Sequence, residues 1–214
     1  MHLEIAFPDL DQSQRGALLK KTARHFGLML AEVAWLWHAR SDDVETLCEL
    51  DSDPEVMRFI GPVGSPDVDA VRQRIEGVYM PWQRHPWHGI WLVHDRATAG
   101  FLGWVFARPA RLHPLADGIG WTREDEVEIG YRYHRAAWGR GIATEAATPL
   151  LEAALADPGT SAVVGCALAG NKASLRVLEK LGLQRVGEVV APDLPGITIK
   201  LARACRGSVS RGRD

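Results

Sequence analysis

The sequence has few of the features that mark secreted, membrane-spanning or nucleic-acid-binding proteins. Only three of its 214 residues are cysteines; Cys48, Cys166 and Cys205 lie far apart, without metal-site spacing, and an odd number fits reduced thiols. The most apolar stretch, residues 28–37, is about ten residues long and contains Glu32, whereas a spanning helix needs about 20 residues. The formal net charge is only −2, so no field of one sign favours nucleic acid or a membrane surface.

A recognisable secretory signal is also missing, because residues 1–30 contain no apolar core followed by a cleavage site. We therefore expect a cytoplasmic protein with no nucleic-acid or membrane partner. The length of 214 residues and the 46% hydrophobic content suit one domain with a sizeable core. We predict an N-terminal extension of unknown role at 1–28, a single domain at 29–203, and a disordered Gly-, Ser- and Arg-rich tail at 204–214.

The first half of the chain reads as a strand followed by short helices. Residues 33–38 predict the strand, and Ser41 is a candidate N-cap for the helix that follows. Asp53 and Pro54 predict the start of a second helix, because proline suits the first helical position. The pair Ser65-Pro66 repeats this signal, and the following helix is expected to bury one apolar stripe, formed by Val68, Val71, Ile75 and Val78.

The second half first alternates in strand periodicity and then mixes strands with helices. Residues 90–94 and 101–107 predict a hairpin, and residues 126–134 alternate strictly between two faces. A long helix is expected from the glycines near 140 to about residue 156. A buried strand at 162–168, a helix at 171–181 and strands at 183–190 and 197–201 complete the pattern. Together these elements predict an α/β (α+β) domain with a central sheet covered by helices.

The most informative segment is the turn Trp138-Gly139-Arg140-Gly141-Ile142-Ala143-Thr144, which leads from a strand into a helix. Glycines let backbone approach a ligand closely, and the first helical N–H groups lack internal partners, which favours a pyrophosphate. Arg140 and the Thr144 hydroxyl offer further charge and a donor. The segment is not a P-loop, which needs Gly-Lys-Ser/Thr, and it lacks the third glycine of a dinucleotide fingerprint.

Residues 128–145, with this turn inside them, resemble the acetyl-CoA motif of the GNAT superfamily of N-acetyltransferases. They are most similar to its branch of ribosomal-protein N-terminal (RimJ/RimL-like) acetyltransferases. Residues 53–61 and 171–183 resemble the early helix and the late helix and strand of the same branch, in the same order. The resemblance covers about residues 33–201 and implies a mixed, largely antiparallel sheet flanked by helices.

The resemblance also implies a co-substrate and its binding residues. Acetyl-CoA is expected to bind at Ile129, Tyr131, Trp138, Gly139, Arg140, Gly141, Ile142, Ala143, Thr144 and Asn171. Trp138 departs from the superfamily pattern, which has Gln or Arg there, although this branch often has an aromatic residue. Many relatives carry a tyrosine that protonates the departing thiolate, and Leu178 occupies that position here.

Two residues are candidates for the proton transfers of an acetyl transfer. An alkylammonium with a pKa of about 10 is not nucleophilic at neutral pH, so a base must remove a proton. Glu128 precedes the glycine turn, and relatives carry a glutamate at that position, so we expect it to be that base. Its alternative role is a strand glutamate paired with an arginine. Ser174 is the candidate proton donor to the thiolate, or a helical serine bonded to a carbonyl.

The acceptor site is expected around Trp82, Trp87 and Trp121, because the family places its acceptor pocket near the loops that hold them; the alternative is that these tryptophans pack under the loops. Three acids, Glu124, Asp125 and Glu126, would favour a cationic amine, unless they are solvated. The acceptor is either a small-molecule amine or a protein N-terminus. His85 and His88 lack a third ligand, so we predict no metal.

Two alternative functions follow from the same residues. A non-catalytic acyl-CoA-binding module is motivated by Leu178, and a general dinucleotide-binding domain by the glycines. Homodimers occur in the family, and a homodimer therefore stays a possible assembly. The function that accounts for most of these residues is an acyltransferase. We expect it to use direct attack of a primary amine in a ternary complex.

Overall fold

The computed structural model describes residues 34–61, 66–113, 116–121, 123–190 and 196–205. The N-terminal extension predicted at 1–28 lies outside them. Within these ranges the chain forms one seven-stranded sheet in the order β1-β2-β3-β4-β5-β7-β6. Its strands are β1 (Ala34–His38), β2 (Gly89–Asp95), β3 (Phe101–Pro109), β4 (Glu126–Tyr133), β5 (Ala162–Leu168), β6 (Gln184–Val190) and β7 (Ile197–Ala204).

Neighbouring strands are antiparallel except for the β4–β5 pair, which is parallel. The predicted mixed, largely antiparallel sheet is therefore confirmed. The β4–β5 pairing ends at Glu128 and Val164, although β4 continues to Tyr133 and β5 to Leu168. The two strands thus part in the middle of the sheet, and this opening positions the site described below.

Helices cover both faces of the sheet because its strands bury side chains on each side. Their bounds are α1 (Val44–Asp51), α2 (Pro54–Met57), α3 (Val68–Arg74), α4 (Met80–Trp82), α5 (Ala116–Ile119), α6 (Ile142–Ala156) and α7 (Lys172–Lys180). The larger core joins the sheet to α6 and α7, and a second core joins it to α1 and α3. In the described part of the chain, no helix combines the length and the apolarity that crossing a membrane requires.

The helix signals near the amino end are only partly confirmed. Asp53 caps α2, and its side chain accepts a hydrogen bond from the backbone N–H of Glu55, as predicted. The Ser41 cap is wrong, because residues 41–43 form a 3-10 turn and α1 begins at Val44. Ser65 lies outside the described residues, and Asp67 caps α3 instead.

The predicted apolar stripe is also wrong at its ends. Val71 and Ile75 are buried, whereas Val68 and Val78 are 44% and 43% exposed. After α3 the backbone turns π-helical over Ile75–Tyr79, and a π turn holds more residues than an α turn. The extra residue rotates Val78 off the buried face.

The carboxyl-terminal prediction needs one boundary correction. Strand β7 continues to Ala204, and the backbone N–H of the buried Cys205 donates to the carbonyl of Ser161. The first residue of the predicted tail, Ala204, therefore belongs to the sheet, and the second, Cys205, is hydrogen-bonded directly after it. Residues 206–214 lie outside the described ranges.

Candidate active site

The turn before α6 has the backbone geometry that its glycines predict. Gly139 and Gly141 have φ angles of 72° and 82°, which side-chain-bearing residues rarely adopt. A Cβ atom added at either position would meet nothing within 4 Å among the described residues. Gly141 is the N-cap of the 15-residue α6, and no described side chain caps this end. The first N–H groups of α6 therefore have no partner within the helix and lie at the positive end of the helix dipole.

A cleft of about 440 Å³ adjoins this turn; we call it the glycine-turn cleft. Its lining includes most of the predicted cofactor-binding residues, namely Tyr131, Trp138, Gly139, Gly141, Ile142, Ala143, Thr144 and Asn171. Arg140 is an exception, since its guanidinium lies 3.3 Å from the carboxylate of Asp95 and outside the lining. Positive charge comes instead from α7, where Lys172, Arg176 and Lys180 line the cleft; Arg58, directly after α2, also lines it but pairs with Glu55.

Two further features of this cleft fit an extended polar ligand. The buried Tyr133 lines it, and its hydroxyl has no hydrogen-bond partner among the described residues. Beyond Glu128, the edge of β4 that faces β5 is unpaired in the described part of the chain. Because unpaired strand edges offer backbone N–H and C=O groups, an extended amide-containing chain can bind along it.

Three cross-strand pairs of β3 and β4 form the floor of a second cleft of about 380 Å³, which we call the aromatic cleft. Its floor residues lie opposite one another as Trp104–Arg132, Phe106–Gly130 and Arg108–Glu128. A Cβ atom at Gly130 would lie 2.5 Å from the ring of Phe106, so only glycine leaves room for that ring. Tyr79 and Trp82 continue the aromatic lining from the α3–α4 side.

Glu128 lies in the aromatic cleft and forms a buried ion pair. One of its oxygens, Oε2, accepts a hydrogen bond of 2.7 Å from Nε of Arg108 and lies 2.7 Å from Nη2 of the same guanidinium. The other, Oε1, is 3.9 Å from Nε2 of His113. Burial raises the pKa of Glu128, and the Arg108 guanidinium opposes that rise. The residue thus adopts the arginine-paired arrangement, yet keeps one oxygen directed away from the arginine.

The donor atoms of Glu128, His113 and Cys166 lie within 4.8 Å of one another, close enough to hold a metal ion. Arg108 already occupies one oxygen of this carboxylate, and its positive charge opposes a cation at the cluster. Burial lowers the pKa of His113 to about 4 and raises that of Cys166 to about 12. The imidazole is therefore neutral at neutral pH, and the thiol is protonated.

The two clefts meet at residues that both of them share: Phe59, Ile60, Tyr131, Arg132, Asn171 and Ser174. Asn171 caps α7 as predicted, with its side-chain oxygen 3.1 Å from the N–H of Ser174. The Tyr131 hydroxyl donates to the Ser174 carbonyl at 2.7 Å and lies 3.1 Å from the Ser174 hydroxyl. Burial raises the pKa of Tyr131, so its hydroxyl is protonated at neutral pH. Leu178 is buried one turn later.

The predicted acceptor residues are separated by the fold. Trp82 lines the aromatic cleft, but Trp87 and Trp121 lie outside the lining of either cleft. Trp87 is buried in the main core beside Trp91, and its backbone carbonyl accepts a hydrogen bond from the indole N–H of Trp91. Trp121 is buried against α5 and β5, with its ring edge-on to His113 at 5.4 Å.

The three acids expected to attract a cationic amine are also elsewhere. Glu124 pairs with Arg111, and Asp125 and Glu126 both pair with Arg123. None of the three lines a described cleft. Ion pairing with neighbouring arginines on the same loop explains their position better than substrate binding does.

Ile129 has its side chain in the main core and also borders the aromatic cleft. Sequence reasoning missed Arg108, Trp104 and Phe106, which lie opposite β4 only because of the β3–β4 register. The only available signal was that β3 alternates Trp104, Phe106 and Arg108 on one face, and without the register this pattern does not identify a site.

Comparisons with known proteins agree with this arrangement. A sequence model of the acetyltransferase (GNAT) domain matches residues 35–184. YkkB, an uncharacterized protein of Bacillus subtilis (strain 168), is 31% identical over 134 residues, 62% of this chain and 70% of that protein. The FsC-acetyl coenzyme A-N(2)-transacetylase of Aspergillus fumigatus is 29% identical over 143 residues, 66% of this chain and 58% of that enzyme.

Among solved structures, the aminoglycoside acetyltransferase AAC(6')-Ib in complex with ribostamycin and coenzyme A has a TM-score of 0.66. It is 18% identical, and the match covers 86% of this chain and 99% of that one, which is a likeness of fold. The family match, by contrast, is one of sequence and spans most of the described residues. The chain therefore belongs to the GNAT acetyltransferase family and is an acyltransferase.

Proposed function

We propose that the protein transfers an acetyl group from acetyl-CoA to a primary amine, by direct attack within a ternary complex. One observation carries this proposal: a cleft with an anion-binding helix terminus and a cleft with a buried carboxylate meet at Tyr131, Asn171 and Ser174. Two reactants held in two such clefts would react where the clefts join. Holding both in place can supply about 7–11 kcal/mol of the barrier.

Acetyl-CoA supplies the thioester, and this chain's residues fit its polar parts. The N–H groups that begin α6 suit the pyrophosphate, because no described side chain competes for them. Lys172, Arg176 and Lys180 add positive charge along the same cleft. The unpaired edge of β4, at Ile129 and Tyr131, suits the amides of the pantetheine arm.

Glu128 is the base in this proposal. Arg108 holds its Oε2, which leaves Oε1 for the ammonium or for a water molecule between them. Because burial raises the pKa of Glu128, the carboxylate is a stronger base than an exposed one. A positioned base typically contributes about 10²–10⁴-fold to the rate.

Tyr131, together with Ser174, is the proton donor to the departing thiolate. The Leu178 side chain has no acidic proton to donate. The protonated hydroxyl of Tyr131 lies beside Ser174, one turn before Leu178 on α7, at the junction of the clefts. The hydroxyl already donates to the Ser174 carbonyl, so a small rotation is enough to redirect it toward a new charge. Ser174 belongs to the same donor pair, because its hydroxyl lies 3.1 Å from that of Tyr131.

The names of the relatives support acetyl transfer to amines without fixing the acceptor. The Aspergillus relative is named as an acetyl-coenzyme A transacetylase acting at an N(2) position, and the solved relative holds an aminoglycoside. A small-molecule amine and a protein N-terminus are therefore both within the proposal. Leu178 favours one competing function, a non-catalytic acyl-CoA-binding module.

The experiment that tests the proposal combines binding with turnover. Acetyl-CoA at about 100 times its dissociation constant should stabilise the folded chain by about 2.7 kcal/mol, read as a higher Tm. Release of free thiol should then depend on an added primary amine. Stabilisation without amine-dependent thiol release, across small amines and peptide N-termini, would favour the binding module. A folded protein whose Tm does not change at millimolar acetyl-CoA would contradict both.

A further inference from the structure

Four aromatic side chains of the aromatic cleft, two from its floor and two from the α3–α4 side, form a continuous row of rings. Tyr79 lies 5.3 Å from Trp82, Trp82 lies 6.2 Å from Phe106, and Phe106 lies 5.7 Å from Trp104, measured between ring centroids. Tilted rings at these spacings form a surface that suits a flat apolar group. Phe106 can take part only because Gly130 has no side chain beneath it.

These rings do not form an open cage for a cationic ligand. The guanidinium of Arg108 lies 4.7 Å from the centroid of Phe106 and 5.2 Å from that of Trp82. Arg132 lies 5.0 Å from the centroid of Trp104. Because the protein's own cations take these cation–π positions, a ligand ammonium gains less from the same rings.

The charges of the cleft also disfavour a second or third ammonium. Among its described lining residues, Arg108 and Arg132 are cationic, and Glu128 is the single carboxylate. His113 adds no negative charge and is neutral at neutral pH, since burial and Arg108 lower its pKa to about 4. The charge of Arg132 is compensated by an ion pair with Asp51, which is not part of the lining. One ammonium can reach Glu128, but the described lining offers no second carboxylate, so an additional ammonium would be desolvated without a partner.

We infer that the acceptor carries a single amine on an apolar, preferably aromatic body, and that polyamines and aminoglycosides are poor acceptors. This inference rests on the proposed acetyl transfer and names its substrate class. It differs from the aminoglycoside bound to the solved relative, whose likeness at 18% identity is one of fold. It also differs from the expectation that Glu124–Glu126 attract cations, because those acids are paired with arginines outside the cleft.

A matched set of amines tests the two parts of the inference separately. n-Hexylamine and 1,6-diaminohexane have the same length and differ in the second charge. Phenethylamine and n-hexylamine carry one charge each and differ in the ring. With acetyl-CoA saturating and thiol release as readout, kcat/KM should be at least tenfold higher for n-hexylamine than for the diamine, and highest for phenethylamine. Spermidine and kanamycin should be slower still.

Binding must be measured beside turnover, so that the inference and the proposed function fail separately. Calorimetric titration of the CoA-saturated full chain should give a tighter Kd for phenethylamine than for spermidine. If phenethylamine binds preferentially but no amine is acetylated, the substrate class stands and the acetyl-transfer proposal falls. If spermidine, kanamycin or the diamine binds or reacts as well as phenethylamine, the inference is overturned. Absence of binding by every monoamine also overturns it.

A variant can shift the preference. Arg108→Gln removes one cation and frees both oxygens of Glu128, so the ratio of kcat/KM for n-hexylamine to that for 1,6-diaminohexane should fall at least fivefold. Arg111→Gln is the matched control, because Arg111 pairs with Glu124 outside the cleft, and it should leave the ratio unchanged. An unchanged ratio in a folded Arg108→Gln protein would contradict the charge argument. If that variant does not fold, the wild-type ratios still decide.

Discussion

In the glycine-turn cleft the proposed contacts to acetyl-CoA are largely backbone groups, whereas the aromatic cleft is lined by side chains that distant strands bring together. In the first, the functional groups are N–H groups at the start of α6 and along the edge of β4. In the second, they are the cross-strand pairs of β3 and β4, of which Arg108 and Glu128 are 20 residues apart in sequence. A backbone site tolerates many side chains, while a side-chain site changes with each substitution. One fold can therefore keep its co-substrate and vary its acceptor.

The same difference explains how much of the site the sequence could predict. The turn at 138–144 is one continuous segment, so its positive φ angles and the start of α6 followed from local residue types. Asn171 as a cap followed in the same way. The partners of Glu128 did not, because residues 110–125 separate β3 from β4 and the register between the strands cannot be predicted from local patterns.

Whole elements could be predicted where nearby residues determine their bounds, but not where tertiary packing determines the outcome. The bounds of β5 and the end of α6 were predicted correctly, since an apolar run defines β5 and Asp157-Pro158-Gly159 follows the last turn of α6. Trp87 and Trp121 lie in buried clusters and outside both clefts, and the sequence could not predict this because loop tryptophans have the same signal whether they face a ligand or the core. Burial is a tertiary property, and only the packed structure distinguishes the two.

The largest effect should come from Glu128, the residue that gives the aromatic cleft its chemistry. We expect Glu128→Gln to lower kcat/KM by about 10²–10⁴-fold, because the amide cannot accept the ammonium proton. Acetyl-CoA affinity should be unchanged, since Glu128 is outside the glycine-turn cleft. Arg108→Gln is the control, as it breaks the same ion pair but keeps the carboxylate. Equal loss of turnover in both variants would reduce Glu128 to a structural partner of Arg108.

A smaller effect, on stability, is expected at Gly130. Gly130→Val would place atoms where the Phe106 ring lies, and such overpacking costs about 1–3 kcal/mol. Urea unfolding should measure this loss, and calorimetry should show that acetyl-CoA still binds the folded variant. Gly187→Val is the control, because a Cβ atom there meets nothing within 4 Å among the described residues. Similar losses in both variants would mean that the Phe106 contact does not set the cost.

Tyr131, at the junction of the clefts, should have the smallest of these effects. Tyr131→Phe removes only the hydroxyl, and we expect kcat to fall about tenfold, or about 1.4 kcal/mol, with the KM for acetyl-CoA unchanged. If the hydroxyl serves only to bind the Ser174 carbonyl, stability should drop by about 1 kcal/mol while kcat stays near wild type. Steady-state kinetics together with urea unfolding separates the two outcomes.

The central claim is that the backbone at the start of α6 binds the phosphates of acetyl-CoA, and Gly141 tests it most directly. Gly141→Ala and Gly141→Asp both place a side chain at a φ angle of 82°, and because Asp tolerates that angle better than Ala, weaker binding by the Asp variant cannot come from greater strain. The same pair at Gly196, which has a φ angle of 105° and open space among the described residues, controls for strain away from the cleft.

Acetyl-CoA should be titrated by calorimetry into all four variants, after circular dichroism has established that each is folded. Both Gly141 variants should bind more weakly than wild type, and Gly141→Asp should be weaker than Gly141→Ala by more than about tenfold, or about 1.4 kcal/mol. The Gly196 variants should bind like wild type. Equal, near-wild-type affinities for Gly141→Ala and Gly141→Asp would contradict the claim that the phosphates bind at this helix terminus.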